Sequence, residues 1–400
     1  MKILHTSDWH IGKQLLKYDL SEDLSLFFDW LINYIKSQNI DVLLVSGDIF
    51  DQANPSQAAY KQYYDLLKKL INLDCKIILT GGNHDSAAVL NAPAQLLKTF
   101  DISVIGGATN NLSEMFIPVK KGNSQIVVAA IPFLKDRDIR KSVAGETYAT
   151  KIEQIKSGLR TYFANVNTHY NKNYSNQAFI LMGHLYVQGS EISESERDIQ
   201  IGNQAGVEAT MFNRVPHYVA LGHIHKPQVV SAEQNIHYCG SPIPLSFSEK
   251  EDCKQINVIT VEDNTVTNVE IVPIPKFRYL ITFEGNLEKV KEQIANYSEN
   301  TKLTSLAEII VNEEDESLYL RQEFEEFINA ATNPNLQIVK SRLNFNNKIR
   351  GASDAFKTGT DVADVTPMQM FEKKLELHGG IENTEELKNA FREILEALNL

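Results

Sequence analysis

Apolar and polar positions fall into blocks along the first half of the chain. MKILHTS, DVLLVSGD (41–48) and CKIILTGGNHD (75–85) are short apolar runs that end in polar residues, which predicts buried strands running into loops. Between them, SEDLSLFFDWLINYIKSQ (21–38) and PSQAAYKQYYDLLKKLIN (55–72) carry apolar residues at helical spacing, with Ser or Asn near the start. Strand–helix–strand alternation predicts an α/β fold built on a largely parallel sheet, with ligand sites at the carboxyl ends of its strands. A second series follows in QIVVAAIPFL (125–134), QAFILMGHL (177–185), HYVALGHIH (217–225) and VVSAEQNIHYCGS (229–241). Two further runs, 255–261 and 266–272, flank Glu262-Asp263-Asn264 and predict a hairpin that closes this domain.

Pro273 and Pro275 mark a boundary, so a first domain is expected over 1–275. FRYLITFEG, NLEKVKEQIANY, LAEIIVNE, LYLRQEFEEFINA and LQIVKSRL then read as β-α-β-α-β, a small α+β domain over 276–343. The Asn-, Gly-, Asp- and Ser-rich tract 344–365 reads as a linker. Two helices are expected in 366–400, and in the second Leu387, Phe391, Ile394, Leu395 and Leu398 share one face. That face could pack on the chain's own α+β domain, though the linker before it favours a partner surface.

Composition changes this picture little. With 400 residues, 43% of them hydrophobic and 22% charged, the chain is of ordinary globular make-up. No signal-peptide h-region and no apolar stretch of ~20 residues is seen, so no membrane association is expected. Cys75, Cys239 and Cys253 lack metal-type spacing, and so sparse a count fits a reducing cytoplasm without disulfides. Charge matters more. The net charge is −12, and residues 281–400 alone hold 22 Asp+Glu against 13 Lys+Arg, a net of −9. Strong free-standing affinity for a polyanion is not expected of such a chain, and a partner would have to provide positive surface.

Polar clusters recur at the predicted strand ends: Asp8-Trp9-His10, Gly47-Asp48, Gly82-Asn83-His84-Asp85, Gly183-His184 and Gly222-His223-Ile224-His225. Any one of them alone reads as a cap, a turn or a satisfied core histidine. Together they hold five of the ten histidines, a placement that chance explains poorly. Two carboxylates, one amide oxygen and four imidazoles without sulfur suit Mn²⁺, Fe²⁺ or Zn²⁺. Seven donors are too many for one ion and suit two sharing a carboxylate, about 3.5–4 Å apart, a pair that clamps a phosphoryl centre.

D-x-H, G-D-x-x-D (Gly47 to Asp51), G-N-H-D, G-H and G-H-x-H, in this order, resemble the calcineurin-like metallophosphoesterases. The resemblance implies a β-sandwich flanked by helices, with a small α+β capping domain and C-terminal helices beyond it. It places one ion on Asp8, His10 and His225, a second on Asn83, His184 and His223, and Asp48 between them. His84 is the implied catalytic residue that is not a ligand, protonating the leaving oxygen or steadying transition-state charge. Asp85 is expected to orient it, with Asp51 in support.

HTSDWHIGK, GDIFDQANPS, GHLYVQGSEISESERDIQIGN and HYCGSPIPLSFSE more narrowly resemble the SbcD-type branch, through roughly residues 1–275. That branch implies Mn²⁺-dependent exonuclease and endonuclease action on DNA ends, hairpins and single strands. It also implies a homodimer held in a heterotetramer with an SbcC-type coiled-coil ATPase, working in recombination and repair. A phosphoesterase for nucleotides or another small phosphoester is the alternative. A metal-stabilised scaffold without activity fits less well, having no use for His84. His5, His169, His217, His237 and His378 are expected to be structural or on the surface. Trp9 is expected to pack beneath the clusters, Gly240-Ser241-Pro242 to shape the site, and SESERD (193–198) is a candidate wall of a substrate cleft.

Overall fold

The structure, a computed structural model, describes residues 1–141, 145–197, 206–299, 301–347, 367–378 and 384–397. Two six-stranded sheets form the first part. One runs in the order Thr265–Pro273, Gln255–Glu262, Lys2–Thr6, Val42–Ser46, Lys76–Thr80 and Ile102–Ile105. The other runs Gln228–Ser231, Ile236–Tyr238, Tyr218–Gly222, Ala178–His184, Ser124–Ala130 and Phe116–Lys121. Lys2–Thr6, Val42–Ser46, Lys76–Thr80 and Ile102–Ile105 of the first sheet pair in parallel, as do Ile236–Tyr238, Tyr218–Gly222, Ala178–His184 and Ser124–Ala130 of the second. Antiparallel hairpins close one edge of the first sheet and both edges of the second. The terminal hairpin of the first sheet pairs Glu262 with Thr265, so Asp263 and Asn264 form its turn, both with positive φ (44° and 63°) as a type I′ turn requires.

Side-chain alternation makes the sheets a sandwich. Ile3, Val42, Leu44 and Ile78 of one sheet pack against Ile126, Val128, Ile180, Met182 and Ala220 of the other. The opposite faces take helices. Leu4, Leu43, Val45 and Leu79 meet helices Ser21–Gln38 and Gln57–Leu70, while Val127, Phe179 and Leu181 meet helix Tyr148–Asn173. Both faces of the central strands, such as Val42–Ser46, Ala178–His184 and Tyr218–Gly222, are thus apolar, and their polar chemistry is left to the strand ends.

Further on, strands Leu280–Gly285, Ser305–Asp315 and Leu336–Asn347 form a three-stranded sheet in sequence order, with helices Leu287–Ala295 and Leu318–Ala330 between them. Asn344–Asn347 therefore belong to the last strand rather than to the expected linker, whose positions 348–365 lie outside the described residues. Contacts divide the chain differently from the expected boundary at 275/276. One compact unit holds Met1–Thr282, Asn296–Glu308 and Thr332–Lys340, and the other holds Phe283–Ala295, Ile309–Ala331 and Ser341–Leu400. Residues after Pro275 stay with the first unit because the buried Arg278 guanidinium grips Asp23 with bonds of 2.5 and 2.9 Å. In the second unit, helices Pro367–His378 and Thr384–Ala397 stack Phe371 on Phe391 at 4.1 Å. Leu387 and Ile394 remain 41% and 53% exposed, and Leu398 lies outside the described residues. No helix among the described residues is long and apolar enough to cross a membrane.

Candidate metal centre

All five polar clusters converge. Each follows a strand of the sandwich, and the strands enter in parallel, so their carboxyl ends share one rim. The glycines in the clusters allow the close approach of neighbouring strand ends. A Cβ on Gly82 would lie 2.1 Å from Asp48 Oδ1, and one on Gly222 would lie 1.8 Å from the Ser46 carbonyl oxygen. Asp8, His10, Asp48 and His223 all have positive φ (53°, 48°, 49° and 101°), a conformation uncommon outside glycine. Backbone bonds from Asp8 N to Gly47 O (3.1 Å) and from His10 N to Asp48 O (3.0 Å) hold two of these loops together.

The donor atoms face one another. Asp8, His10 and His225 offer ligand atoms within 4.8 Å of one another, as do Asp8, Asp48 and His184, and also His10, Asp48 and His84. Asp48 Oδ2 lies 3.5 Å from His10 Nε2 and 3.4 Å from His184 Nε2, while Oδ1 accepts the His84 backbone N–H at 2.9 Å. Asn83 Oδ1 lies 2.9 Å from His184 Nε2. Asp8 accepts the Ser7 hydroxyl (2.5 Å) on one oxygen and the His223 backbone N–H (2.9 Å) on the other.

Three features fit divalent cations. Asp8 and Asp48 are buried, with no Lys or Arg ion pair among the described residues. His223 Nε2 is buried with no hydrogen-bonding partner among the described residues. His10 and His225 bring their Nε2 atoms to 3.1 Å while their Nδ1 atoms meet Asp51 (3.2 Å) and Ser195 (2.5 Å). The Nδ1 proton of His10 goes to the Asp51 carboxylate, so its Nε2 carries a lone pair, the form that binds metal.

Electrostatics follow from this crowding. Burial alone would raise the Asp48 carboxyl, but His184, His10 and His84 carry it well below the usual carboxylate range. Burial opposes a charge on His184, yet Asp48, Asp8 and the Ser46 carbonyl raise it to about 9. His84 is driven the other way, down to about 4, chiefly by burial.

His84 donates Nδ1–H to the Asp51 carbonyl at 2.7 Å. Among the described residues Asp85 makes no hydrogen bond to that ring, contrary to expectation. Its carboxylate accepts the backbone N–H groups of Ile49 (3.0 Å), Phe50 (2.9 Å) and Gly82 (2.8 Å), tying the Asp48 and Asn83 loops together. Burial, with Asp48 close by, raises its carboxyl to about 7 against those three donors. The Asp51 carboxylate meets His10 and Lys13 (3.1 Å), and its carbonyl holds His84.

Other residues take quieter places. Trp9 is fully buried, bonding Thr6 and packing edge-on against Phe28, so it has no free face for a base. His217 accepts the Phe179 N–H, and His5 and His237 lie buried around Tyr218. Within SESERD the structure describes residues up to Arg197, and Asp198 lies outside. Ser195 and Glu196 turn inward to bond His225 at Nδ1 and at its backbone N–H, so this stretch supports the centre from within rather than only walling a cleft. Sequence reasoning also missed Glu249 and Lys254, which lie buried behind His225 at 2.6 Å from each other. They carry no motif, and only the tertiary fold brings them there.

The calcineurin-like phosphoesterase model matches residues 1–227, more than half of the chain. Among the relatives is the SbcD subunit of the SbcCD nuclease from Escherichia coli (strain K12), 31% identical over 74% of each chain. The chain belongs to the SbcD branch of the calcineurin-like phosphoesterases. The corresponding nuclease subunit of Staphylococcus saprophyticus is 32% identical over 72% of this chain and 73% of its own. One from Rhodobacter capsulatus is 34% identical over 62% and 64%. A second model, described as the type 5 capsule protein repressor C-terminal domain, matches residues 276–378. Family membership and the donor cluster together make this SbcD-branch chain a divalent-metal-dependent hydrolase.

Proposed function

We propose that the chain is the nuclease subunit of an SbcCD-type complex, hydrolysing DNA phosphodiesters with two divalent cations, Mn²⁺ being the expected ion. The observation that supports this best is Asp48 Oδ2, set 3.5 Å from His10 Nε2 and 3.4 Å from His184 Nε2, where one carboxylate oxygen can serve two ions. Asp8, His10 and His225 would hold the first ion, and Asn83, His184 and His223 the second. Such a pair, when bound, supplies a water of lowered pKa and neutralises charge on the phosphoryl oxygens. His84 is the catalytic residue. Its ring is neutral near pH 7 because burial lowers it to about 4. An arriving phosphodiester anion favours the protonated ring, which serves to protonate the leaving oxygen or to steady transition-state charge. The Asp51 carbonyl orients the ring through Nδ1.

A coiled-coil ATPase of the SbcC type is the proposed partner, in line with the names of the relatives, which are subunits of an SbcCD nuclease. The net −9 of residues 281–400 argues that positive surface for DNA comes from elsewhere in the assembly. The exposed Leu387 and Ile394 support a docking role for the helices in 366–400. A nuclease domain over 1–275, extended by the parts of 276–343 that share its compact unit, two copies of this chain in a heterotetramer and a cytoplasmic setting complete the reading, the last in keeping with three free cysteines.

Mn²⁺-dependent cleavage of end-labelled duplex and hairpin DNA tests it, with His84→Ala and a small chromogenic phosphodiester in parallel. DNA cleavage that disappears in His84→Ala is the expected result. Turnover of the small ester with DNA left intact, even after the ATPase is added, would make the chain a small-substrate phosphoesterase. Deleting 367–400 should spare the small ester and weaken assembly with the ATPase; unchanged assembly removes the docking role.

A further inference from the structure

Glu249 is fully buried, yet it sits in none of the clusters that form the metal centre. It lies in the Phe247–Glu249 turn and gathers donors: Lys254 Nζ at 2.6 Å, Ser241 Oγ and the Leu245 N–H at 3.2 Å each, and Ser193 Oγ at 3.2 Å. The Ser195 hydroxyl also bonds Glu249 Oε1 and stands 2.5 Å from His225 Nδ1.

The direction of this chain of bonds follows from what each group can do. A carboxylate only accepts, and a serine hydroxyl has one proton. With that proton given to Glu249, the Ser195 oxygen can only accept from the ring, so His225 must carry its proton on Nδ1. Nε2 is then left as a lone pair, facing His10 Nε2 at 3.1 Å and grouped with Asp8. The same small region holds the His225 backbone: Glu196 accepts its N–H at 2.7 Å, and Lys254 donates to its carbonyl at 3.0 Å. Glu194 N also bonds Ser248 Oγ at 3.1 Å, so the 193–196 loop is anchored on the turn that carries Glu249.

We propose that Glu249 is a positioning residue of the metal centre, acting through Ser195 to hold His225 in the Nδ1–H tautomer that presents Nε2 to the ion. This rests on the reading of His225 as a ligand. It follows that the 193–196 loop and the ion support each other, since ordering either one favours the other.

Glu249→Gln tests the polarity of the chain with little change in shape. The amide donates to Ser195, whose proton then turns to His225 Nδ1 and forces the Nε2–H tautomer, the form that opposes metal binding. Mn²⁺ affinity of the full chain is measured by calorimetry. The tautomer is read in the metal-free chain from ¹⁵N-edited imidazole spectra, at a pH where the ring is neutral. Glu249→Gln should bind Mn²⁺ about 10–100-fold more weakly, with the His225 signal moved to Nε2–H. Wild-type affinity, or weaker binding with the tautomer unchanged, overturns the proposal. Should Glu249→Gln not fold, Ser195→Ala removes the same link from a partly exposed loop. There about tenfold weaker binding supports the proposal and wild-type binding overturns it. His225→Ala separates the two layers: if it binds Mn²⁺ like wild type, the ligand assignment itself fails. If only His225→Ala is impaired, the ligand assignment stands and the role of Glu249 falls.

Discussion

The two sides of the metal centre are supported in different ways. On the side of Asp8, His10 and His225, side chains hold the imidazoles: Asp51 takes His10 Nδ1 at 3.2 Å, and Ser195 takes His225 Nδ1 at 2.5 Å. On the side of Asn83, His184 and His223, His184 Nδ1 is held by the Ser46 carbonyl at 3.0 Å. A carbonyl on a buried strand is fixed by the sheet and cannot be removed by substitution. A side-chain partner can be, and it can also move with its loop. The first side is therefore the one that substitution and loop ordering can tune, while on the second the hold on His184 is as rigid as the sheet.

The largest effect should come from the residue that belongs to both sides. Asp48→Ala should remove Mn²⁺ binding at both positions and all turnover, read by calorimetry and by cleavage of a small phosphodiester. Retention of one tightly bound ion would show that the sides are independent. His84→Ala should keep the metal and lower kcat by about 10²–10⁴-fold, because only proton transfer and charge stabilisation are lost. Full activity in this variant would remove His84 from the mechanism.

Asp51→Ala should weaken metal binding by about 10–100-fold through His10. The Asp51 backbone carbonyl, and with it the hold on His84, is untouched by that change. Ser46→Ala is the matching change on the rigid side. It deletes only the hydroxyl bond to the Ala220 carbonyl (3.0 Å), which should cost about 1 kcal/mol of stability in denaturant titration and leave Mn²⁺ affinity unchanged. A drop in affinity as large as that of Asp51→Ala would erase the distinction.

Much of the fold could be read from periodicity. Strands Lys2–Thr6, Val42–Ser46 and Lys76–Thr80 and helices Ser21–Gln38 and Gln57–Leu70 all fall within the segments that their apolar spacing marks. Helix Tyr148–Asn173 was not anticipated, although Ile155, Leu159, Phe163, Val166 and Tyr170 form its buried stripe. Polar residues, glycine and β-branched residues dilute that stripe, and only packing on the second sheet makes it decisive. The edge strands Ile102–Ile105 and Phe116–Lys121 were also missed: the first is only four residues long, although its burial alternates, and the second runs into exposed lysines. The segment 229–241 was read as one run but forms two antiparallel strands with a bulge between Val229 and Ser231.

Which residues are candidates for the centre was determined by the chain itself. Asp8, His10, Asp48, Asn83, His84, His184, His223 and His225 each follow an apolar run, and a parallel sheet delivers the ends of such runs to one rim. Which group holds which donor was decided only by the tertiary structure. Asp85 is next to His84 in sequence, yet it serves the loops of Gly82 and Asp48 instead. Glu249 supports a histidine 24 positions earlier, through a serine 54 positions away from it. Local periodicity sets the face on which a residue lies and the strand end that it reaches. Hydrogen-bond partners are set by distances between loops far apart in the chain, which exist only once the two sheets have packed.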